Sequence, residues 1–369
     1  MSTKLETPSG ALTLPTFLPD ATRGVVRAVD SADLERCGVE GLVMSAFHLM
    51  QHPGSTTIQA LGGLHALSGW KRPIITDSGG FQVYSLIHQN PKAGTIRDKG
   101  ATFQLDKGAG KDAKKINLTP EKSIQLQLSY RSDVVVCFDD CTHVDAPESD
   151  QRESVRRTIL WAKRCKIAFE RLLKERRDDS ARPLLFGVVQ GGGSRELRRM
   201  CAESLLEIGF DGYGYGGWPL DGAGGLLTEM LAYTRELIPT EFPMHALGVG
   251  HPVNVRDCFR LGYQLFDSAM PTRDARHGRL YALEGAITSG SDWLRYVYIG
   301  DNKHIKDSQP LMAGCDCPVC QRYPAAYLHH LFKINDSIYL RLATLHNLRF
   351  MTRLIDHLRH EDSQHEAQP

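Results

Sequence analysis

The sequence predicts an α/β fold: a (β/α)8 TIM barrel carrying a small cysteine-rich subdomain at its C-terminal end. Three observations predict it. Eight short apolar runs recur along the 369 residues, each ending in a polar or glycine-rich tip. Amphipathic helical patterns lie between many of them. No GxGxxG follows the first run, which weighs against the rival architecture, an open doubly wound sheet.

The runs are Leu14–Asp20, Gly41–Ser45, Pro73–Asp77, Val134–Asp139, Leu184–Gln190, Gly212–Gly217, His245–Gly250 and Leu265–Pro271. Apolar on both faces, they read as parallel strands covered by helices. Helical patterns occupy Ser31–Cys37, Pro120–Tyr130, Ser149–Glu175, Arg195–Ile208, Gly225–Leu237 and Val253–Leu261. Thr119 before Pro120 is a capping residue followed by proline at the first helical position. The barrel is expected over residues 1–287. A polar, Gly/Lys-rich insertion near 88–118 reads as a lid-like loop or small β element over the mouth. Residues 288–369 are expected to form the subdomain and the last helices that complete the barrel, with a frayed tail after Leu358.

Composition sets the class. With 41% hydrophobic and 24% charged residues, the chain reads as a globular protein rather than a disordered one. No apolar run approaches the roughly 18 residues of a membrane helix, and Met1–Glu6 shows no apolar signal core. The odd number of cysteines, nine, argues against a disulfide framework and for reduced thiols in the cytoplasm. Net charge is only +1, but it is unevenly spread: residues 152–177 hold ten Lys or Arg against three Glu, and 92–115 hold seven against three Asp. Such clusters either track phosphates or form a solvated helix face, and charge alone favours the second.

A barrel places its chemistry where strands end. The tips include Asp20, Ser45, Asp77, Asp139, Gln190, Gly217, Gly250 and Asp267, so carboxylates and an amide converge on one mouth. Arg273, Arg276 and Arg279 follow the last strand closely, a plausible phosphate clamp. The amide at Gln190 and the free backbone at Gly216-Gly217 suit reading the edge of a planar base. Cys315-x-Cys317-x-x-Cys320 offers three thiolates within six residues, which suits tetrahedral zinc. His329, His330 and His346 are candidate fourth ligands between which spacing does not choose. A shell of four protein ligands leaves no place for water, so the site is expected to be structural.

Thr76–Leu86 (TDSGGFQVYSL), Phe138–Thr142 (FDDCT), Met270–Arg273 (MPTR) and Cys315–Phe332 running into Thr344–Asn347 together resemble the queuine/archaeosine tRNA-ribosyltransferase family, the tRNA-guanine transglycosylases, in its bacterial form. The resemblance runs from about Leu14 to about Leu358 and takes in Pro53-Gly54, Gly62–His65, Leu118–Ser123, Val189–Gly192, Gly209–Gly217 and Gly248–Gly250. It implies a pentosyltransferase that replaces guanine in tRNA, at the wobble position of GUN anticodons, with a 7-deazaguanine base. Asp267 then resembles the nucleophile on ribose C1′, and Asp77 the general acid/base. Asp139, Gln190 and the Gly217 backbone resemble the groups that hold the base's edge, with Ser78 beside them, and Phe81 and Leu247 those that sandwich it. Arg273 and Arg276 match tRNA contacts. His346 matches the fourth ligand of one structural Zn2+. The resemblance further implies a homodimer, for which Tyr323, Tyr327 and His330 are candidate contacts at helical spacing.

Several positions depart from the family pattern. Ser45-Ala46-Phe47-His48-Leu49 stands where Asn-Thr-Tyr-His-Leu is usual, Trp218-Pro219-Leu220-Asp221-Gly222 where bacterial members have Leu-Ala-Val-Gly-Glu, and Ser268 where Cys is usual. The loop Gln104–Asn117 is longer and richer in lysine. These changes leave the reaction class and question the incoming base and the nucleic acid. They keep open a DNA deazaguanine transglycosylase. A non-catalytic partner subunit is opposed by the retained Asp77, Asp139 and Asp267, and a zinc hydrolase by the thiolate-saturated metal site.

Overall fold

The computed structural model describes residues 3–104, 115–176, 180–288 and 290–366, with side chains to Glu361. The stretch 105–114, which holds most of the Lys-rich loop, lies outside the described residues, as do the last three. The chain begins with an antiparallel hairpin, β1 (Lys4–Thr7) and β2 (Gly10–Thr13). The barrel then opens with β3 (Thr16–Pro19), β4 (Leu42–Ser45) and β5 (Ile74–Asp77). A three-stranded antiparallel sheet interrupts it: β6 (Gly94–Arg97), β7 (Gly100–Gln104) and β8 (Lys115–Leu118). The barrel resumes with β9 (Val134–Val136), β10 (Leu184–Val189), β11 (Gly212–Tyr215), β12 (Met244–Ala246) and β13 (Leu265–Ser268).

The eight barrel strands pair in parallel in the order β3-β13-β12-β11-β10-β9-β5-β4. A bridge between Asp20 and Val43, with Ala21 N donating to Val43 O at 2.7 Å, joins the first and last of them. The expected barrel is therefore present, nearly closed, with its strands where the apolar runs placed them.

Period-two alternation sorts each strand into a lumen side and a helix side. Leu18, Val43, Ile75, Val134, Val136, Phe186, Val188 and Leu265 fill the lumen in one apolar cluster, and Leu12 and Leu14 from the hairpin region close its lower end. Strand β11 turns only glycines into the lumen. A Cβ on Gly212 would meet Phe186 at 2.5 Å, on Gly214 Leu247 at 2.9 Å, and on Gly216 Gln190 at 2.6 Å. The empty positions on one strand make room for large side chains of its neighbours.

The outer helices bear out the sequence pattern. Pro120–Ser129 is capped by Thr119, whose hydroxyl accepts from Lys122 N at 3.2 Å. The basic stretch lies on the long helix Glu148–Glu175, and much of its charge is consumed locally. Arg152 pairs with Glu148, Arg157 with Asp140 and Glu153, and Arg164 with Glu121. Trp161 Nε1 and Arg164 Nη1 also donate to Asp98 O at 2.9 and 2.6 Å, pinning the inserted sheet to this helix. The cluster is a paired helix face and a brace for the insertion.

Of the tail expected to fray, the described residues continue helix Ser337–Glu366. The reason is anchorage across the chain. Arg341 grips the buried Asp33 with two bonds of 2.7 Å, Thr352 donates to Cys37 O at 2.6 Å, and Arg359 donates to Pro15 O and Thr13 O. Leu358 is fully buried between them. Before this helix, β14 (Arg279–Leu283) and β15 (Leu294–Tyr298) form a hairpin, and helix Ala325–Lys333 follows the cysteines. No helix among the described residues is long and apolar enough to cross a membrane.

Candidate active site

The apolar lumen ends one layer below the strand tips, and there the inward positions become polar. Leu18 gives way to Asp20, Val43 to Ser45, Ile75 to Asp77 and Leu265 to Asp267. Above the layer lies a cavity of about 380 Å3, in the range of small-molecule sites. Val43, Ile75, Val136 and Val188 form its floor; Asp20, Asp77, Asp139 and Asp267 stand around it. Seven of the expected residues line this one space: Asp77, Ser78, Phe81, Asp139, Gly217, Leu247 and Asp267.

Asp77 is held by three neighbours. Gln82 Nε2 donates to its Oδ2 at 2.8 Å and Ala46 N to its Oδ1 at 3.2 Å, while Ser45 lies directly opposite in the strand register. Burial outweighs these bonds and, with the charge of Asp20 nearby, pushes its carboxyl up to about 7. At neutral pH it is divided between acid and base. Asp20 itself is raised by burial and by Asp267, although Thr22 hydrogen-bonds it.

Asp139 accepts from Ser78 Oγ at 3.2 Å and from Gln190 Nε2 at 2.7 Å, and burial raises it too. Gln190 is thus brought to the site but stands behind Asp139 rather than on the cavity wall. Its Oε1 is buried with no partner among the described residues. Arg198, fully buried, fixes the loop beyond Gln190 by donating to Val189 O and Gly192 O while its guanidinium lies over the Tyr215 ring.

Asp267 offers Oδ1 to Gly248 N at 2.9 Å and to His245 Nε2 at 2.8 Å. Arg273 and Arg276 lie outside the cavity, on helix Met270–Arg276 that leaves the tip of β13. Burial lowers the Arg276 guanidinium, and Arg27 and Arg273 nearby push it the same way, so three cations gather beside the mouth.

Phe81 is 45% exposed at the mouth, its ring 5.1 Å from that of Trp218, which in turn meets His143 at 5.5 Å. Trp218, Pro219 and Leu220 face the cavity rather than the barrel wall. Their loop is stapled to itself: Leu227 N donates to Pro219 O, Asp221 N to Gly225 O, and Asp221 Oδ1 accepts from Ala223 N and Gly225 N. Sequence reasoning missed Gln82, Arg27, Arg198 and His245. Of these His245 left a signal, because it shares the inward face of its strand with Leu247.

The second cluster lies in the C-terminal region. The ligand atoms of Cys315, Cys317, Cys320 and His346 all fall within 4.8 Å of one another. His346 Nδ1 is 3.5 Å from Cys317 Sγ and 3.4 Å from Cys320 Sγ. A tetrahedron with metal–sulfur bonds of ~2.3 Å and a metal–nitrogen bond of ~2.0 Å has S···N edges of roughly 3.5 Å. His346 Nε2 donates to Tyr281 O at 2.7 Å, which leaves Nδ1 bare for a metal. His329 is turned away, its Nδ1 on Ile299 O at 2.7 Å. The donor set fits a metal ion, and geometry selects among the three histidines that spacing left open.

The family model described as queuine tRNA-ribosyltransferase matches residues 2–365. Curated relatives bearing the same name are similar along nearly the whole chain. One from Pseudoalteromonas atlantica is 38% identical over 96% of this chain and 89% of its own. One from Psychrobacter sp. strain PRwf-1 is 37% identical over 95% and 86%. One from Halothermothrix orenii is 35% identical over 96% and 88%.

Proposed function

Because this chain belongs to the queuine tRNA-ribosyltransferase family and is a pentosyltransferase acting on tRNA, we propose that it exchanges guanine at the wobble position of GUN anticodons for a 7-deazaguanine through a covalent Asp267–ribose intermediate. The observation that carries this reading is the placement of Asp267 and Asp77 around one cavity, the first held by hydrogen bonds and the second divided between its acid and base forms.

In the first half-reaction Asp267 Oδ2 bonds to C1′ as the C1′–N9 bond breaks. The electron pair leaves with guanine, which takes the proton of Asp77. In the second, the incoming base returns a proton to Asp77, its nitrogen bonds to C1′, and the ester electrons return to Asp267. The transition states resemble those of retaining glycosidases. Asp139, with Gln190 behind it, Ser78 and the Gly217 backbone take the base's polar edge, and Phe81 and Leu247 its faces. The nucleotide must leave the anticodon-loop stack to enter, which an unpaired loop allows at modest cost. Arg273 and Arg276, joined by Arg27, take the neighbouring phosphates. Incubation with radiolabelled guanine and either tRNA or duplex DNA tests the reading: label in tRNA supports it, and label confined to DNA moves the protein to the DNA-modifying alternative.

Zn2+ is the ion we propose for Cys315, Cys317, Cys320 and His346, where it would cross-link the polypeptide and leave no open position for chemistry. We also propose a homodimer through the helix Ala325–Lys333 region. Tyr323 and Tyr327 stack at 4.9 Å, and Tyr327 is exposed, an aromatic patch suited to a twofold contact. Sedimentation at micromolar concentration should show a dimer; monomer alone would remove this element.

The stapled Trp218–Leu220 loop sets the size of the incoming base in this proposal. Leu220 lines the cavity and its backbone bridges to Leu226, so its methyl groups narrow the space left for a bulky 7-substituent. The base is then a small deazaguanine, the aminomethyl form ahead of the cyano form, rather than queuine. Leu220→Gly should raise kcat/KM for queuine about tenfold relative to the aminomethyl base, because overpacking is relieved only for the larger one. Competition among the three bases checks it, and the highest kcat/KM for queuine in the unmodified enzyme would refute the pocket reading.

A further inference from the structure

His245 is buried to 1% on the inward face of β12 and also lines the cavity. Its Nε2 stands 2.8 Å from Asp267 Oδ1, the oxygen that also accepts from Gly248 N at 2.9 Å. A carboxylate oxygen only accepts, so the proton of a neutral ring sits on Nε2. Nδ1 is buried and has no partner among the described residues. Among the described residues no carboxylate hydrogen-bonds Nδ1 to form a relay. The neighbour across the sheet, Gly214, contributes no side chain, and the ring is walled in by strand packing.

We propose that His245 is a positioning residue that orients Asp267 and balances the two halves of its reaction. This rests on Asp267 being the nucleophile. With Oδ1 anchored by two donors, rotation of the carboxylate is blocked and Oδ2 is left to approach C1′. The same hydrogen bond acts on energetics. It is strongest when Asp267 carries its full charge and weakest when the carboxylate has become an ester. It therefore restrains attack slightly and stabilises the carboxylate as it departs from C1′ when the incoming base displaces it. An exchange enzyme needs that balance, because an ester too stable to leave would stop after one half-reaction.

The test compares His245→Phe, which removes the donor and keeps a ring, with His245→Gln, whose amide nitrogen can reach the same oxygen. Guanine exchange into tRNA is measured, together with the fraction of enzyme trapped covalently on tRNA. His245→Phe should lower kcat about 10- to 100-fold, the scale of lost orientation in an active site, with KM for tRNA little changed. The trapped fraction should rise, because departure has lost its donor. His245→Gln should recover most of the turnover. A role in packing alone would lower thermal stability and kcat together, leave the trapped fraction unchanged, and give Gln no advantage over Phe; that result overturns the proposal. So does a Phe variant with unchanged kcat. Should Phe not fold, Leu replaces it in the same comparison. An unmodified enzyme that exchanges no guanine fails the underlying reading before any variant is compared.

Discussion

Asp267→Asn is expected to lower guanine exchange on the order of 1000-fold or more while fold and tRNA affinity stay near those of the unmodified protein. The substitution changes neither shape nor volume. The amide oxygen can still accept from Gly248 N and His245 Nε2, so the local backbone has no reason to move. What disappears is the charge proposed to attack C1′. A base-exchange assay beside a tRNA-binding assay separates the two effects, and exchange at the unmodified rate would remove Asp267 as nucleophile.

Asp77 gives the same mechanism a pH signature. Burial raises its carboxyl to about 7, so the free enzyme carries the acid form below that pH and loses it above. In the proposed mechanism formation of the covalent complex requires the acid, and its rate should fall with rising pH above about 7. The sign for stability follows from linkage. The folded carboxyl keeps its proton where the unfolded one, near 3.8, has lost it, so burial is least costly in acid. Stability on this account declines between about pH 4 and pH 7, and Asp77→Asn, which removes the titration, should gain melting temperature relative to the parent at pH 8 and little at pH 4.

The sequence carried the barrel because each strand announces itself twice, by an apolar run and by a polar residue at its tip. Asp77 and Asp267 were legible for that reason: period-two alternation puts a strand's last inward residue at the mouth. Asp139, three residues past Val136, is out of that phase and was marked only by ending an apolar run. The hairpin Lys4–Thr13 was not legible, since its strands are four residues each and only Leu5 and Leu12 mark its buried face. His245 could have been found. It lies two residues before Leu247, hence on the same face, one layer below the tip. Gln190 was read as facing the base because it ends a strand, yet its amide is spent on Asp139. Pairwise geometry of that kind is not written in periodicity. Nor is the partnering of the basic helix, whose acidic counterparts Glu121 and Asp140 come from elsewhere in the sequence.

Loss of the metal proposed for Cys315, Cys317, Cys320 and His346 should have the largest effect on folding. Cys317 is wholly buried; its sulfur accepts from Cys320 N at 3.3 Å and lies 3.5 Å from His346 Nδ1. Around it there is little regular structure to replace the cross-link: residues 305–324 contain no strand and no α-helix. Through His346 the cluster is fastened to the long last helix and, by Tyr281 O, to β14. Asn347 beside it receives Tyr281 N and donates to Pro271 O at the start of the helix that follows Asp267. Without the ion, three sulfurs and an imidazole would face one another with no shared partner to hold them, and the connection between the cysteine loop and the barrel would open. Cys317→Ser or His346→Ala should therefore cost more than about 4 kcal/mol, the range of a lost metal site, and lower the melting temperature on the order of 10 °C. Metal content should fall well below one ion per chain. Activity should decline in step with the folded fraction, because the closed shell gives the ion no contact with substrate. Elemental analysis, thermal melting and exchange assays on the same preparation decide it. A folded, metal-free, fully active variant would eliminate the structural role, and a folded variant with intact melting but no turnover would move the ion into the chemistry.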